Sequence, residues 1–358
     1  MYNFSQSRQN RSKRREVERV KKALQMTNCG IECAASVVGK LEKNGPLGGV
    51  FDLHGDDDRF GQSTWEKAEA EMQRLALNTA LAKGRLREGE LDAIFAGDLL
   101  NQCIGAAYGL KDFNVPYFGL YGACSTAAEG LLLASLLVSS GTFSRAAAVA
   151  SSHNCTAERQ YRSPLEYGAQ RTPTAQWTVT GAGAFIVGGT ENAKALVRAV
   201  LPGTVVEKGV RDAANMGAAM APAAADTLLR FFRESDTVPA DFDLIVTGDL
   251  GYEGGDILCD LMDIEGVPIR DVYNDCGMMI YSRKTQDTHA GGSGCGCSAT
   301  VLASYLLPKL ASGELKRVLF LGTGAMMSPQ IIQQGEYIPA VAHLVCLAAK
   351  EESEWKLC

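Results

Sequence analysis

Cys124 is the residue of this chain best placed to do chemistry. It stands in Gly122-Ala-Cys-Ser-Thr126, between a strand-like run over 117–121 and an apolar helix that begins near Ser125. A thiol at a helix start meets free backbone N–H groups and the positive end of the macrodipole, and both favour the thiolate. The corresponding chemistry is nucleophilic attack on an electrophilic carbon. The same turn also suits a small buried packing residue, since free cysteine behaves as a compact hydrophobe. Three histidines are candidates for the base that a nucleophile needs. His289 precedes a second Gly-rich turn, in Asp287-Thr-His-Ala-Gly-Gly-Ser-Gly294. His153, in Ser151-Ser-His-Asn154, falls at the C-terminal end of a strand, where α/β proteins build their sites. His343 is embedded in an apolar strand pattern and reads as a core histidine.

Two further stretches offer binding groups. Residues 157–174 are polar and carry Arg159, Arg162 and Arg171 with Tyr161 and Tyr167. Guanidinium forks suit carboxylates and aromatic rings stack on flat ligands, although any single arginine here also reads as part of a solvated loop. Residues 212–226, a run of small residues, read as a buried loop entering a helix with Pro222 near its first turn.

An internal repeat must position these groups. Leu91-Asp-Ala-Ile-Phe-Ala-Gly-Asp-Leu99 recurs as Phe242-Asp-Leu-Ile-Val-Thr-Gly-Asp-Leu250. The Cys124 turn, its apolar helix ending at Ser140-Gly141 and the strand from Arg145 recur as Gly294-Cys-Gly-Cys-Ser-Ala299, a helix ending at Ser312-Gly313 and a strand from Arg317. Helices apolar on most faces belong between two sheets, and strands joined by helices imply parallel sheets with both faces covered. The reading is an α/β protein with a five-layer αβαβα fold of two duplicated halves.

The chain has 358 residues, 46% hydrophobic and 21% charged, which excludes disordered and fibrous classes. Its net charge of −6 is uneven: residues 1–22 carry +6 and the rest −12. A body that acidic is a poor nucleic-acid binder, and only the tail suits an anionic surface, at roughly 1 kcal/mol per basic residue near a membrane. Eleven cysteines without paired spacing or a signal peptide argue against a disulfide framework, and the scattered histidines argue against structural zinc or another metal centre. The apolar run 131–138 is far shorter than the roughly 20 residues of a membrane span.

The duplicated halves and the Cys124 turn resemble the thiolase-like superfamily. A finer set of motifs is similar to the stage V sporulation protein AD (SpoVAD) family within it. They include Gly45-Pro-Leu-Gly48, Ala96-Gly-Asp-Leu-Leu-Asn-Gln102, Thr156-Ala-Glu-Arg-Gln160, Ala219-Met-Ala-Pro-Ala-Ala-Ala-Asp-Thr227, Asn274-Asp-Cys-Gly277 and Ala290-Gly-Gly-Ser-Gly-Cys295. The resemblance runs from about Gly45 to His343. Before it, the basic residues 1–22 and the cysteine-containing run 25–38 depart from the family, which implies that the first strand is absent or replaced. The expected division is a divergent N-terminal segment over 1–44, a first half over 45–190 and a second half over 191–358.

The resemblance implies a non-catalytic role: binding dipicolinic acid, free or as its calcium chelate, and supporting its uptake into the developing spore. It implies no cofactor, membrane partners from the other SpoVA proteins, a homodimer through the first half, and a peripheral place on the cytoplasmic side of the spore inner (forespore) membrane. Ser293 stands where synthases carry the asparagine that helps bind the oxyanion, and Gly322-Thr-Gly324 lacks the second cysteine of thiolases. Loss of one such donor alone costs about a hundredfold or more in rate. Cys124 is then a relic nucleophile position. The expected ligand contacts are Cys124, Ser125 and Thr126 through their N–H groups, His153 and Arg159 as polar partners, Met216 as an apolar wall, and His289 and Ser293 from the second half. The alternative is an active acyl-transferring synthase or thiolase that uses Cys124.

Overall fold

A computed structural model describes residues 23–161 and 170–355. The basic tail, Arg162 and Tyr167 lie outside the described residues. Ten principal strands alternate with helices along the chain. The first five are β1 (Gly30–Val38), β2 (Ala93–Gly97), β3 (Tyr117–Leu120), β4 (Ala146–Ser152) and β5 (Gly181–Gly188). The second five are β6 (Ala195–Leu201), β7 (Leu244–Thr247), β8 (Tyr273–Asp275), β9 (Arg317–Ala325) and β10 (Ala340–Ala348).

They form one sheet in the order β8-β7-β9-β10-β6-β1-β5-β4-β2-β3. Outward from the β6–β1 junction each half repeats one order: first strand, fifth, fourth, second, third. The duplication in the sequence is therefore a duplication of topology. Within each half the second, third and fourth strands are parallel, and the fifth is antiparallel to both neighbours. The expectation of wholly parallel sheets is corrected at β5 and β10. Each pairs with the strand that immediately precedes it, and antiparallel neighbours need no crossover.

The layers follow from where apolar faces are buried. Helix α1 (Trp65–Gly84) covers the outer face of β1, β5 and β4. Helix α2 (Thr126–Ser139) packs on β4, β2 and β5 from one side and on β10 and β9 from the other. Beside α2 lies the helix opened by Cys295–Val301, which continues through a π-helical turn at Leu302–Leu306 to Leu307–Ala311. Pro308 in that last piece brings no N–H, and the backbone loosens in the turn before it. Helix α3 (Asn154–Tyr161) follows β4, while α4 (Met216–Ser235) covers β10 and β9 and packs against α5 (Gly251–Ile264). The five layers are those expected. Gly141 and Gly313, with φ of +74° and +75°, end the two central helices in the left-handed conformation that glycine adopts without strain.

Two further expectations are corrected. The first strand of the first half is present: β1 is buried along all nine residues, pairs with β5 over its length and meets β6 at Gly30 and Ile31. A strand buried on both faces carries no polar alternation, so Gly30-Ile-Glu-Cys-Ala-Ala-Ser-Val-Val38 lacks the usual signature. The 212–226 run is a loop only as far as Asn215. From Met216 it is helix, because the Asn215 side chain caps Ala218 N and the alanine-rich sequence favours the helix, with Pro222 carried inside it.

Candidate functional site

A cavity of about 210 Å³ opens where the two central helices begin. Cys124 reaches it from the first half through a turn in which Ala123 holds φ of +50°, a left-handed conformation uncommon outside glycine. Met216 and Ser293 face it from the second half, and Leu99, Tyr161 and Gln176 complete the walls used below.

Asp249 lies behind Cys124, at the C-terminal end of β7 and fully buried. Its Oδ1 accepts from the Thr323 hydroxyl at 2.8 Å. Its Oδ2 accepts from Gly294 N at 2.8 Å and, at 3.4 Å, from the Ser293 hydroxyl. The Cys124 thiol lies close enough for this carboxyl group to act on it electrostatically. Gly294 delivers its N–H from a backbone with φ of +100°, a region closed to side chains. Burial pushes the Asp249 carboxyl up, and its donors pull it back. For Cys124, burial and then the Asp249 charge push the thiol well above its ordinary value, against a smaller lowering from Gly294 N–H. Cys124 is therefore a thiol at neutral pH. The thiolate expected from the helix macrodipole is overridden by burial first and by the Asp249 charge second.

The remaining predicted residues separate. Ser125 N donates to Gly122 O at 3.0 Å and Thr126 N to Ala123 O, while their hydroxyls return to Gly122 O and Ala123 O. These groups close the turn and are not free for a ligand, contrary to expectation. His153 sits off the cavity, fully buried against Trp65 with ring centroids 5.4 Å apart. Its Nδ1 accepts from Cys155 N at 3.2 Å, so Nε2 carries the proton and donates to Asp58 O at 2.8 Å. Burial holds its pKa below the usual value. Arg159 is exposed and paired with Glu66. His289 bonds Thr172 O through Nδ1 at 2.7 Å and Asp287 through Nε2 at 2.9 Å. His153, Arg159 and His289 are thus corrected as wall contacts: His153 is turned to Trp65 and Asp58, Arg159 to Glu66, and His289, in a turn, to Thr172 and Asp287. His343 lies in β10, its Nδ1 accepting from Gly203 N at 3.0 Å, and burial lowers its pKa to about 4. The ten described cysteines are free thiols.

Asp249 and Gln176 are the site residues that sequence reasoning missed. Asp249 stood in plain view as the Gly-Asp ending shared by Gly97-Asp98 and Gly248-Asp249, where it marked only the repeat. Gln176 carried no sequence signal. Its Nε2 donates to Asp249 O at 2.7 Å and to Gly292 O at 2.8 Å, tying the short strand Trp177–Thr178 to its parallel partner Gly292–Ser293. A second cavity of about 340 Å³ adjoins the first and shares Tyr161 and Met327 with it. At their boundary the Tyr121 and Tyr161 hydroxyls are 2.6 Å apart, and Tyr161 donates to Leu99 O.

A duplicated half of this topology, with a cysteine at the central helix start, defines a thiolase-like protein. Solved structures agree on the fold. OleA of Xanthomonas campestris superposes with a TM-score of 0.57 over 91% of this chain and 99% of its own, at 13% identity. The 3-oxoacyl-[acyl-carrier-protein] synthase III of Aquifex aeolicus VF5 gives 0.55 over 89% and 99%, also at 13% identity. The family profile of Stage V sporulation protein AD (SpoVAD) matches residues 21–348, so the match starts well before Gly45 and includes β1. Stage V sporulation protein AD of Bacillus subtilis (strain 168) is 44% identical over 313 residues, covering 87% of this chain and 92% of that protein. The chain belongs to the stage V sporulation protein AD family.

Proposed function

We propose that this sporulation-family protein is a non-catalytic binder of dipicolinate, pyridine-2,6-dicarboxylate, held in the cavity at Cys124. It supports delivery of dipicolinate into the developing spore beside membrane partners at the cytoplasmic face of the forespore inner membrane. The observation that carries the non-catalytic part is the pairing of Cys124 with Asp249. A general base must take a proton from the nucleophile, whereas burial of Cys124 and then the adjacent Asp249 charge keep the proton on sulfur. No histidine lines the cavity among the described residues. The walls combine apolar surface from Leu99 and Met216 with a few fixed polar groups, a composition suited to a small flat ligand. Among the described residues no helix is long and apolar enough to cross a membrane, which is compatible with a peripheral place.

The retained turn at Ala123 and Cys124 favours a second reading, an acyl-transferring enzyme, because it still presents sulfur to a cavity in a fold shared with synthases. Two measurements separate the readings. Calorimetric titration with dipicolinate yields saturable heat for the binder, and absence of heat with folded protein removes it. Incubation with acetyl-CoA followed by intact mass leaves the binder unmodified, whereas an adduct lost in Cys124→Ala establishes the enzyme.

We also propose a homodimer through β3. The strand Tyr117–Leu120 is the outer edge of the first half and exposes Tyr117 and Phe118, with Ile104, Tyr108 and Tyr121 exposed nearby. An uncharged aromatic edge is an association surface unless covered. Two copies pairing antiparallel cover it without like charges meeting.

A further inference from the structure

Dipicolinate brings two carboxylates to the cavity, and among the described residues no Lys, Arg or His lines it. An anion there has to be held by neutral donors. Most polar side chains of the wall are committed. The Tyr161 hydroxyl donates to Leu99 O, the Ser293 hydroxyl turns to Asp249 and the Gln176 amide nitrogen to two carbonyls. Glu158 has an interaction of its own and the wrong sign of charge for a carboxylate.

Thr178 is the exception. It stands on the wall at 9% exposure, at the end of the short strand Trp177–Thr178. Its methyl group packs toward Gly294, 3.4 Å from where a β-carbon on that glycine would sit. Its hydroxyl has no partner among the described residues and is not one of the orphaned polar atoms sealed from solvent, so it presents surface to the cavity. A hydroxyl in that state is a donor in want of an acceptor.

The start of α4 is the second source of donors. Ala213 and Ala214 in the turn before the helix, and Met216 as its first residue, all line the cavity. Asn215 Oδ1 accepts from Ala218 N at 3.3 Å, which leaves Met216 N and Gly217 N without a partner among the described residues. A helix of 20 residues thus opens on the cavity with its positive end, and such an end holds a carboxylate without help from a cation. A cavity of about 210 Å³ takes one small molecule, so the helix start and the Thr178 hydroxyl meet the same ligand.

We infer that the carboxylates of the ligand are received by the Thr178 hydroxyl and by the N–H groups that open α4. The inference rests on the dipicolinate reading above and adds the donors that recognise the anion.

The test is calorimetry with dipicolinate in EDTA on the native protein and four variants. Thr178→Val replaces the hydroxyl by a methyl group of the same shape, and Thr178→Ser keeps the hydroxyl without the methyl. Met216→Pro removes an N–H at the helix position where proline is favoured, and Met216→Ala is its control for the lost side chain. The expected result is a loss of about tenfold or more in affinity for Thr178→Val, with Thr178→Ser within about threefold of native. Met216→Pro is expected to bind about threefold or more weakly than Met216→Ala. Equal losses in Thr178→Val and Thr178→Ser show that the position only packs the wall and overturn the inference. Native affinity in Thr178→Val overturns it too, as does equal affinity in Met216→Pro and Met216→Ala. In each of those cases the native protein still binds and the dipicolinate reading stands. Absence of heat from the native protein removes that reading, and the inference with it.

Discussion

Cys124, at the first turn of the central helix in one half, lies against the buried carboxyl group of Asp249 at the end of β7 in the other, whose charge adds to burial in raising the thiol's pKa. Gly294 N and the Thr323 hydroxyl hold that carboxyl group in place. Its charge adds to burial in opposing formation of the Cys124 thiolate.

Asp249→Asn is therefore expected to lower the Cys124 pKa, because it removes the nearest negative charge while an amide oxygen can still accept from Gly294 N. A fall of about one unit corresponds to roughly tenfold faster alkylation below the pKa. The check is iodoacetamide labelling at pH 8, read at the Cys124 peptide by mass spectrometry. An unchanged rate means burial alone keeps the thiol unreactive.

Met216→Trp is expected to abolish dipicolinate binding by filling a cavity of only about 210 Å³, raising Kd by about tenfold or more. Met216 is the first residue of α4 and half-buried, so the melting temperature should move by no more than a few degrees. Undiminished binding in this variant places the ligand elsewhere.

Glu42 makes stability depend on pH. Its Oε1 accepts from Thr180 N and the Tyr281 hydroxyl, its Oε2 has no partner, and burial pushes its pKa up to about 7. Burial does the same to Asp275, to about 7, and raises Glu69. With the folded pKa above the unfolded one, the protonated form is favoured by folding. The stabilisation is complete below about pH 4.5 and is lost as pH rises through about 7. Glu42→Gln is expected to flatten part of that decline, gaining a few kcal/mol relative to native at pH 8 over its difference at pH 5. Urea unfolding at the two pH values measures it, and parallel curves for the two proteins exclude Glu42 as a source.

Phe118→Lys is expected to turn a dimer into a monomer by placing like charges across paired β3 edges. Light scattering coupled to size exclusion reads the mass directly. A native protein that elutes as a monomer at tens of micromolar removes the proposed interface.

Much of the fold was legible because its signals are local. A Gly-Asp strand ending, a Ser-Gly helix stop and an apolar helix each need only neighbouring residues, and their recurrence in one order exposed the duplication. The strand β1 escaped notice because burial on both faces erases alternation, and α4 was underestimated because an alanine run reads equally as a loop of small residues. Cys124, Met216 and Ser293 were legible as wall residues, since each stands at a helix start or Gly-rich turn that the fold aims at its centre. His153, Arg159 and His289 were not placed correctly, because chemical type does not tell which way a side chain turns.

The sequence by itself determined the duplicated architecture, the family and the cysteine at the centre, all carried by short contiguous motifs. Only the tertiary structure decided that Cys124 meets Asp249, 125 positions away, and that Gln176 turns its amide nitrogen to Asp249 O and Gly292 O. Those contacts arise where two halves pack face to face across the central helices. A side chain's partner there is set by the stacking of sheets, which no local pattern encodes.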